Sequence, residues 1–162
     1  MLDIKDAYLQ VPQQEEVLVT ISDWMKKACN IGEGIVWRLK RCLPGQRNAA
    51  TRWYEHLRSI LERLGFEFSQ HVPALAKHKT KAVCISIHVD DELLAGQRED
   101  SLWLVEELEK VFRVEKEGPY PLTRNGNGEE LRYLKRKYVF VGEGIVVQPN
   151  EKYIKKLLEL YD

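Results

Sequence analysis

Cysteine is scarce in this chain. Cys29, Cys42 and Cys84 are odd in number, widely spaced and form no C-x-x-C pair. Neither a disulfide framework nor a zinc site is indicated, and Cys84, inside an apolar segment, reads as a small core residue. No apolar run approaches the length of a membrane span, and no signal peptide is visible. These absences point to an intracellular, reducing compartment, cytoplasm or nucleus, with no membrane partner and no secretion. An excess of one charge is also lacking, because 25 Lys and Arg balance 25 Asp and Glu. That excludes a wholesale basic nucleic-acid binder and leaves only local patches. Candidates are Arg38, Lys40, Arg41, Arg47 and Arg52, then residues 77–81, then Arg132 with Lys135, Arg136 and Lys137, and finally Lys152, Lys155 and Lys156. There is no internal repeat and no low-complexity tract. What remains is 162 residues, 44% of them hydrophobic, enough for one domain with a real core.

Residues 2–7 read as a short strand leading into a turn at Val11 and Pro12. Residues 17–21 and 35–39 are β-branched and apolar, two further strands punctuated by Gly32 and Gly34. Ala49, Trp53, Leu57, Ile60, Leu61 and Leu64 recur at helical spacing and form one apolar stripe. Asn48 is placed to cap this helix, and Gly65 to end it in a left-handed conformation. Residues 66–68 alternate as a strand. Val83, Ile85, Ile87 and Val89 alternate with Cys84, Ser86 and His88, and residues 93–95 close a hairpin at Gly96. A second helix is expected over roughly residues 100–112, burying Leu104, Val105, Leu108, Val111 and Phe112. Residues 118–128 read as a long loop. Strands at 133–139 and 145–147 flank a turn at 142–144, and Asn150 caps a last helix carrying Ile154, Leu157, Leu158 and Tyr161 on one face. This order implies an α+β domain, a mainly antiparallel sheet with helices packed on one face.

Asp90 and Asp91 sit at the tip of the apolar hairpin 82–96, and a second acidic segment, LDIKDAY, opens the chain at residues 2–8. A turn with two aspartates is common by itself. Like charges held a few ångströms apart are tolerable when a cation lies between them. If the sheet brings Asp3 beside Asp90 and Asp91, the cluster is a divalent-metal site for phosphoryl transfer, able to hold two Mg²⁺ roughly 3.5–4 Å apart.

The motifs then extend the reading. LDIKDAYL at residues 2–9 resembles the first palm motif of reverse transcriptases, and HVDD at 88–91 resembles their tyrosine-x-aspartate-aspartate motif, with His88 in the tyrosine position. LKRCLPGQRNAATRWY at 39–54 resembles the middle motif of copia-type retrotransposon polymerases. QPNEKYIKKLL at 148–158 resembles their entry into the thumb. The resemblance implies a polymerase palm over residues 1–148, the start of a thumb helix over 149–162, and RNA-directed DNA polymerase activity. It implies catalytic carboxylates at Asp3, Asp90 and Asp91, with the Ile4 carbonyl as a further metal ligand and two Mg²⁺ as cofactor. Tyr8 falls on the steric gate that favours deoxynucleotides, and Gly45 and Asn48 fall on nucleotide-binding positions. Arg132, Lys135, Arg136, Lys137, Lys152, Lys155 and Lys156 fall near the primer grip and thumb. The implied partners are an RNA or DNA template-primer, deoxynucleoside triphosphates and any remaining polyprotein segments.

Because Met1 is followed at once by the first motif, the expected chain is truncated, with its fingers largely missing. Weak phosphate contacts would follow. The alternative is therefore a catalytically inactive retroelement remnant, at most a weak nucleic-acid-binding module. A receiver-like phosphoacceptor with one Mg²⁺ would need regular βα alternation, and the successive strands at both ends argue against it.

Overall fold

The computed structural model describes residues 1–120, 127–141 and 144–161. The chain begins with β1 (Leu2–Ile4) and a single helical turn, α1 (Ala7–Gln10). β2 (Leu18–Thr20), α2 (Asp23–Cys29) and β3 (Val36–Arg38) follow, then the long helix α3 (Ala49–Arg63). Next come β4 (Phe66–Phe68), β5 (Leu75–His78), β6 (Val83–His88), β7 (Asp91–Gly96) and α4 (Arg98–Glu109). The last part comprises β8 (Val114–Lys116), β9 (Asn127–Tyr133), β10 (Arg136–Val141), β11 (Gly144–Gln148) and α5 (Glu151–Tyr161). Six strands form one antiparallel sheet in the order β4-β5-β6-β7-β1-β8, so the first strand is inserted between β7 and β8. The α+β class with antiparallel sheets is as the sequence predicts.

Period-two alternation sends Val83, Ile85 and Ile87 to one face of this sheet, where they meet Leu2, Ile4, Ala76 and Phe66. Trp53, Leu57, Ile60 and Leu61 from α3 and Leu104, Val105 and Leu108 from α4 complete the same core. Both long helices therefore cover one face, and the other face is left for chemistry. Gly65 ends α3 with φ +99°, as expected of a left-handed C′ residue. Gly96 answers a different need, because a Cβ there would lie 2.1 Å from the Ala82 carbonyl oxygen.

Several expectations are corrected. Asn48 makes no side-chain cap; with its oxygen toward the guanidinium it accepts from Arg52 at 3.2 Å instead. Helix α4 stops at Glu109, which leaves Val111 exposed while Phe112 stays buried. Cys84 is exposed on the face away from the helices, and Cys42 is the buried thiol. The run 133–139 is not one strand, because Leu134 and Lys135 both have positive φ and turn β9 back into β10. That sign pattern is the type I′ hairpin turn. The expected loop 118–128 already becomes strand at Asn127, and its residues 121–126 lie outside the described residues, as do 142 and 143 of the expected turn. The short elements α1, α2, β5 and β8 are additional to the expected order.

The three-stranded sheet β11-β10-β9 buries Leu131, Tyr133 and Phe140, and Tyr120 stacks on Phe140 with ring centroids 5.7 Å apart. Asn150 caps α5 by accepting from the Lys152 N–H at 3.0 Å, but α5 buries none of its residues. No described helix is long and apolar enough to cross a membrane.

Candidate active site

Insertion of β1 beside the β6–β7 hairpin brings together residues far apart in the chain. Asp3 lies directly opposite Asp91 on one side and Glu115 on the other, and Asp91 lies opposite His88. Directly paired residues share a sheet face with Cβ atoms about 4.5–5.5 Å apart. His88, Asp91, Asp3 and Glu115 thus form one row across four strands, on the face opposite the helices. The Ile4 N–H donates to the Asp90 carbonyl at 2.8 Å, which stitches the end of β1 to the turn itself.

Val89 gives that turn its shape. Its φ is 59°, whereas Asp90 keeps a negative φ, the sign pattern of a type II′ turn in which glycine is the easy residue. A β-branched side chain in this region costs roughly 1–3 kcal/mol, and the surrounding structure must hold it there. Trp53 is one such restraint. Its indole N–H donates to the Val89 carbonyl, its side chain is 1% exposed, and Phe112 meets it edge-on at 5.2 Å. Helix α3 therefore holds the turn from the core side.

The electrostatics follow from crowding. Partial burial, then Asp90 and Asp3, push the Asp91 carboxyl above its ordinary range, against smaller opposing effects of His88 and Lys5. Lys5 donates to Asp3 Oδ2 at 2.8 Å and lies 3.0 Å from Glu115 Oε2. Those two partners hold its ammonium above the usual lysine range, Asp3 first. On the core side of the same strand, Glu92 is 0% exposed, faces Leu2 and Ile87 across the neighbouring strands, and has no partner for either carboxyl oxygen. Burial first, then Asp91, Asp90 and Asp3, push its carboxyl up to about 9, so it stays protonated at neutral pH. Tyr133, from the smaller sheet, lies close enough to be affected by the same charges. Burial raises its hydroxyl, Ser86 opposes this, and Asp91 and Glu92 add to it.

The other predicted residues are dispersed. Ile4 is fully buried, and its N–H faces the turn. Tyr8 sits on α1, half-buried against the core. Gly45 takes φ +92° in the turn where the Gln46 N–H donates to the Leu43 carbonyl; a Cβ there would meet nothing within 4 Å, so conformation and not space calls for glycine. Asn48 is turned to Arg52, and Arg52 is itself 7% exposed and held by Gln13 and Glu15. Arg132, Lys135 and Arg136 are exposed on the β9–β10 hairpin, where Lys137 is paired with Glu130. Lys152, Lys155 and Lys156 are exposed on α5.

The backbones of the three aspartates converge, yet among the described residues no three His, Cys, Asp or Glu side chains close into a metal shell. The carboxylate of Asp3 is instead occupied by Lys5. Sequence reasoning passed over Lys5, Glu92 and Glu115, and placed Trp53 in its helical stripe without its bond to the turn. Strand alternation was the available signal for Glu92, since it shares a face with Leu94. A concavity of about 470 Å³ beside the β2–β3 ribbon is lined by Gln13, Glu15, Arg38 and Lys40 among others, and by none of the aspartates. The acidic row lies on a sheet face, not in that concavity.

The reverse transcriptase (RNA-dependent DNA polymerase) family matches residues 1–120. The match covers β1, α3, the hairpin with its aspartate turn, and β8, the elements that assemble the acidic row. The chain belongs to the reverse transcriptase family, enzymes that take a nucleic-acid template and nucleotide substrates and use Mg²⁺.

Proposed function

We propose that this chain is the RNA-directed DNA polymerase palm of a copia-type retrotransposon polyprotein, with residues 149–162 starting the thumb. One observation carries the reading: Asp3 faces Asp91 across adjacent strands while the Asp90 backbone is bonded to Ile4. Asp3, Asp90, Asp91 and the Ile4 carbonyl are the candidate ligands. They fit Mg²⁺, because hard oxygen donors are what it takes and because Asp3 already holds a cation, the Lys5 ammonium. When bound, paired Mg²⁺ lowers the barrier to nucleotidyl transfer by acidifying the attacking hydroxyl and neutralising the triphosphate and its leaving group.

The protein supplies placement. The restrained turn holds Asp90 and Asp91 against β1. Tyr8 bears on the sugar and excludes a ribose 2′-hydroxyl by repulsion. Gly45 and Asn48 lie along the path of the nucleotide or template, with the Asn48 amide released from Arg52 to reach it. Arg132, Lys135, Arg136, Lys137, Lys152, Lys155 and Lys156 track the phosphates of the template-primer, a salt-sensitive contact.

The test is primer extension on an RNA template with Mg²⁺, comparing the chain with Asp90→Asn. Extension of deoxynucleotides lost in Asp90→Asn supports the reading; extension that survives the substitution refutes it. A second reading, an inactive retroelement remnant that binds nucleic acid weakly, is favoured by the lack of a closed three-ligand shell among the described residues. It predicts no extension even with saturating template-primer.

A further inference from the structure

Lys5 has two anionic partners, and they lie side by side. Register pairs Asp3 with Glu115 on one sheet face, and the Lys5 ammonium bridges them at 2.8 and 3.0 Å. Its backbone is fixed, because the Lys5 N–H donates to the Arg113 carbonyl at 2.9 Å. Only the side chain is free to move. A divalent ion ligated by Asp3 would share that carboxylate with the ammonium on Oδ2, and two cations repel at such a separation. Glu115, 70% exposed, gives the ammonium an anion to stay with without leaving the row.

We infer that Lys5 is an internal counter-ion that occupies Asp3 in the ion-free protein and passes wholly to Glu115 when a divalent cation binds. It is a positioning residue, and the inference rests on the reading of Asp3 as a metal ligand. Asp3 thus has a counter-charge in both states, the ammonium without the ion and the ion once it is bound. Without Lys5, ion-free Asp3 would face Asp91 uncompensated; without Glu115, the displaced ammonium would keep competing for Asp3.

Binding of Mn²⁺ to the full chain, followed by loss of the free-ion electron paramagnetic resonance signal, separates the cases. The variants are Lys5→Met, Lys5→Gln, Glu115→Gln, Lys5→Met/Glu115→Gln and Asp91→Asn, with near-ultraviolet circular dichroism as the check of fold. Because the pair is partly exposed, removing the ammonium should tighten Mn²⁺ by about three- to tenfold in both Lys5 variants. Glu115→Gln should weaken binding at least about twice as much with Lys5 present as in the Lys5→Met background. Unchanged or weaker binding in Lys5→Met and Lys5→Gln overturns the inference. So does an equal effect of Glu115→Gln in both backgrounds, which would reduce Lys5 to part of the general field. No binding by any form at millimolar Mn²⁺ overturns the metal reading and the exchange with it. Binding that Asp91→Asn abolishes but Lys5 does not influence overturns the exchange alone.

Discussion

Glu92→Gln isolates the least ordinary group in the fold. The carboxyl is 0% exposed and unpartnered among Leu2 and Ile87, and it titrates at about 9 against an ordinary value of 4.5. The folded protein therefore keeps a proton that the unfolded chain releases above 4.5. Folded protein binds more protons across this window, so stability falls as pH rises from about 4.5 to about 9. At 1.36 kcal/mol per pH unit, the loss at pH 7 relative to acid is about 3 kcal/mol, a large share of the 5–15 kcal/mol typical of a domain. Glutamine has the same shape and no proton to lose. Urea unfolding of both proteins from pH 5 to pH 8, in chelator and read by tryptophan fluorescence, gives the difference in stability. Other titrating groups cancel in that difference. It should grow in favour of Glu92→Gln by about 1.4 kcal/mol per pH unit. A difference that stays constant over those three units would refute the argument, and would mean that Glu92 is ionised in the fold.

Two further substitutions test how the turn and hairpin are held. Trp53→Phe keeps most of the buried ring but removes the donor to the Val89 carbonyl; stability should drop by about 1–3 kcal/mol, checked by the urea midpoint, since a buried acceptor loses its partner. An unchanged midpoint would mean that the turn holds itself. Gly96→Ala drives a Cβ to 2.1 Å from the Ala82 carbonyl oxygen, so the β6–β7 register must shift, with an expected loss of about 2 kcal/mol or more on the scale of overpacking. A thermal midpoint equal to that of the parent would refute the close approach.

What the sequence revealed depended on the length and strength of each pattern. Helix α3 was legible because six apolar residues hold one stripe over four turns, and β6 because Val83, Ile85 and Ile87 alternate without a break. Helix α2 buries none of its residues, so it has no stripe to read, and only Ser22, which accepts from the Met25 N–H at 3.4 Å, marks its start. Strands β5 and β8 run four and three residues, too short for a periodicity; their neighbours define them. The β9–β10 turn escaped because Leu134 and Lys135 adopt positive φ without the Asn or Gly that usually announces it. Cys84 was misread by residue type although its alternation with Val83 and Ile85 already put it on the other face.

The site was half legible for the same reason. Adjacent carboxylates at a hairpin tip and a third near the start of the chain mark the chemistry, but sequence cannot state that β1 enters between β7 and β8. That placement creates the problem the hidden residues then address. Three aspartates gather at the tip of the β6–β7 hairpin beside Glu115, and an ionised Glu92 would add a further negative charge one residue away, in a core with nothing to pair it. Burial keeps it protonated instead. On the outer face Lys5 compensates Asp3, and Glu115, on the adjoining strand, shares the ammonium. The row is therefore tolerable without any bound ion through one suppressed charge and one borrowed one. Both depend on strand register, so a slip of β1 by one residue would turn Asp3 into the apolar core and Leu2 and Ile4 out of it.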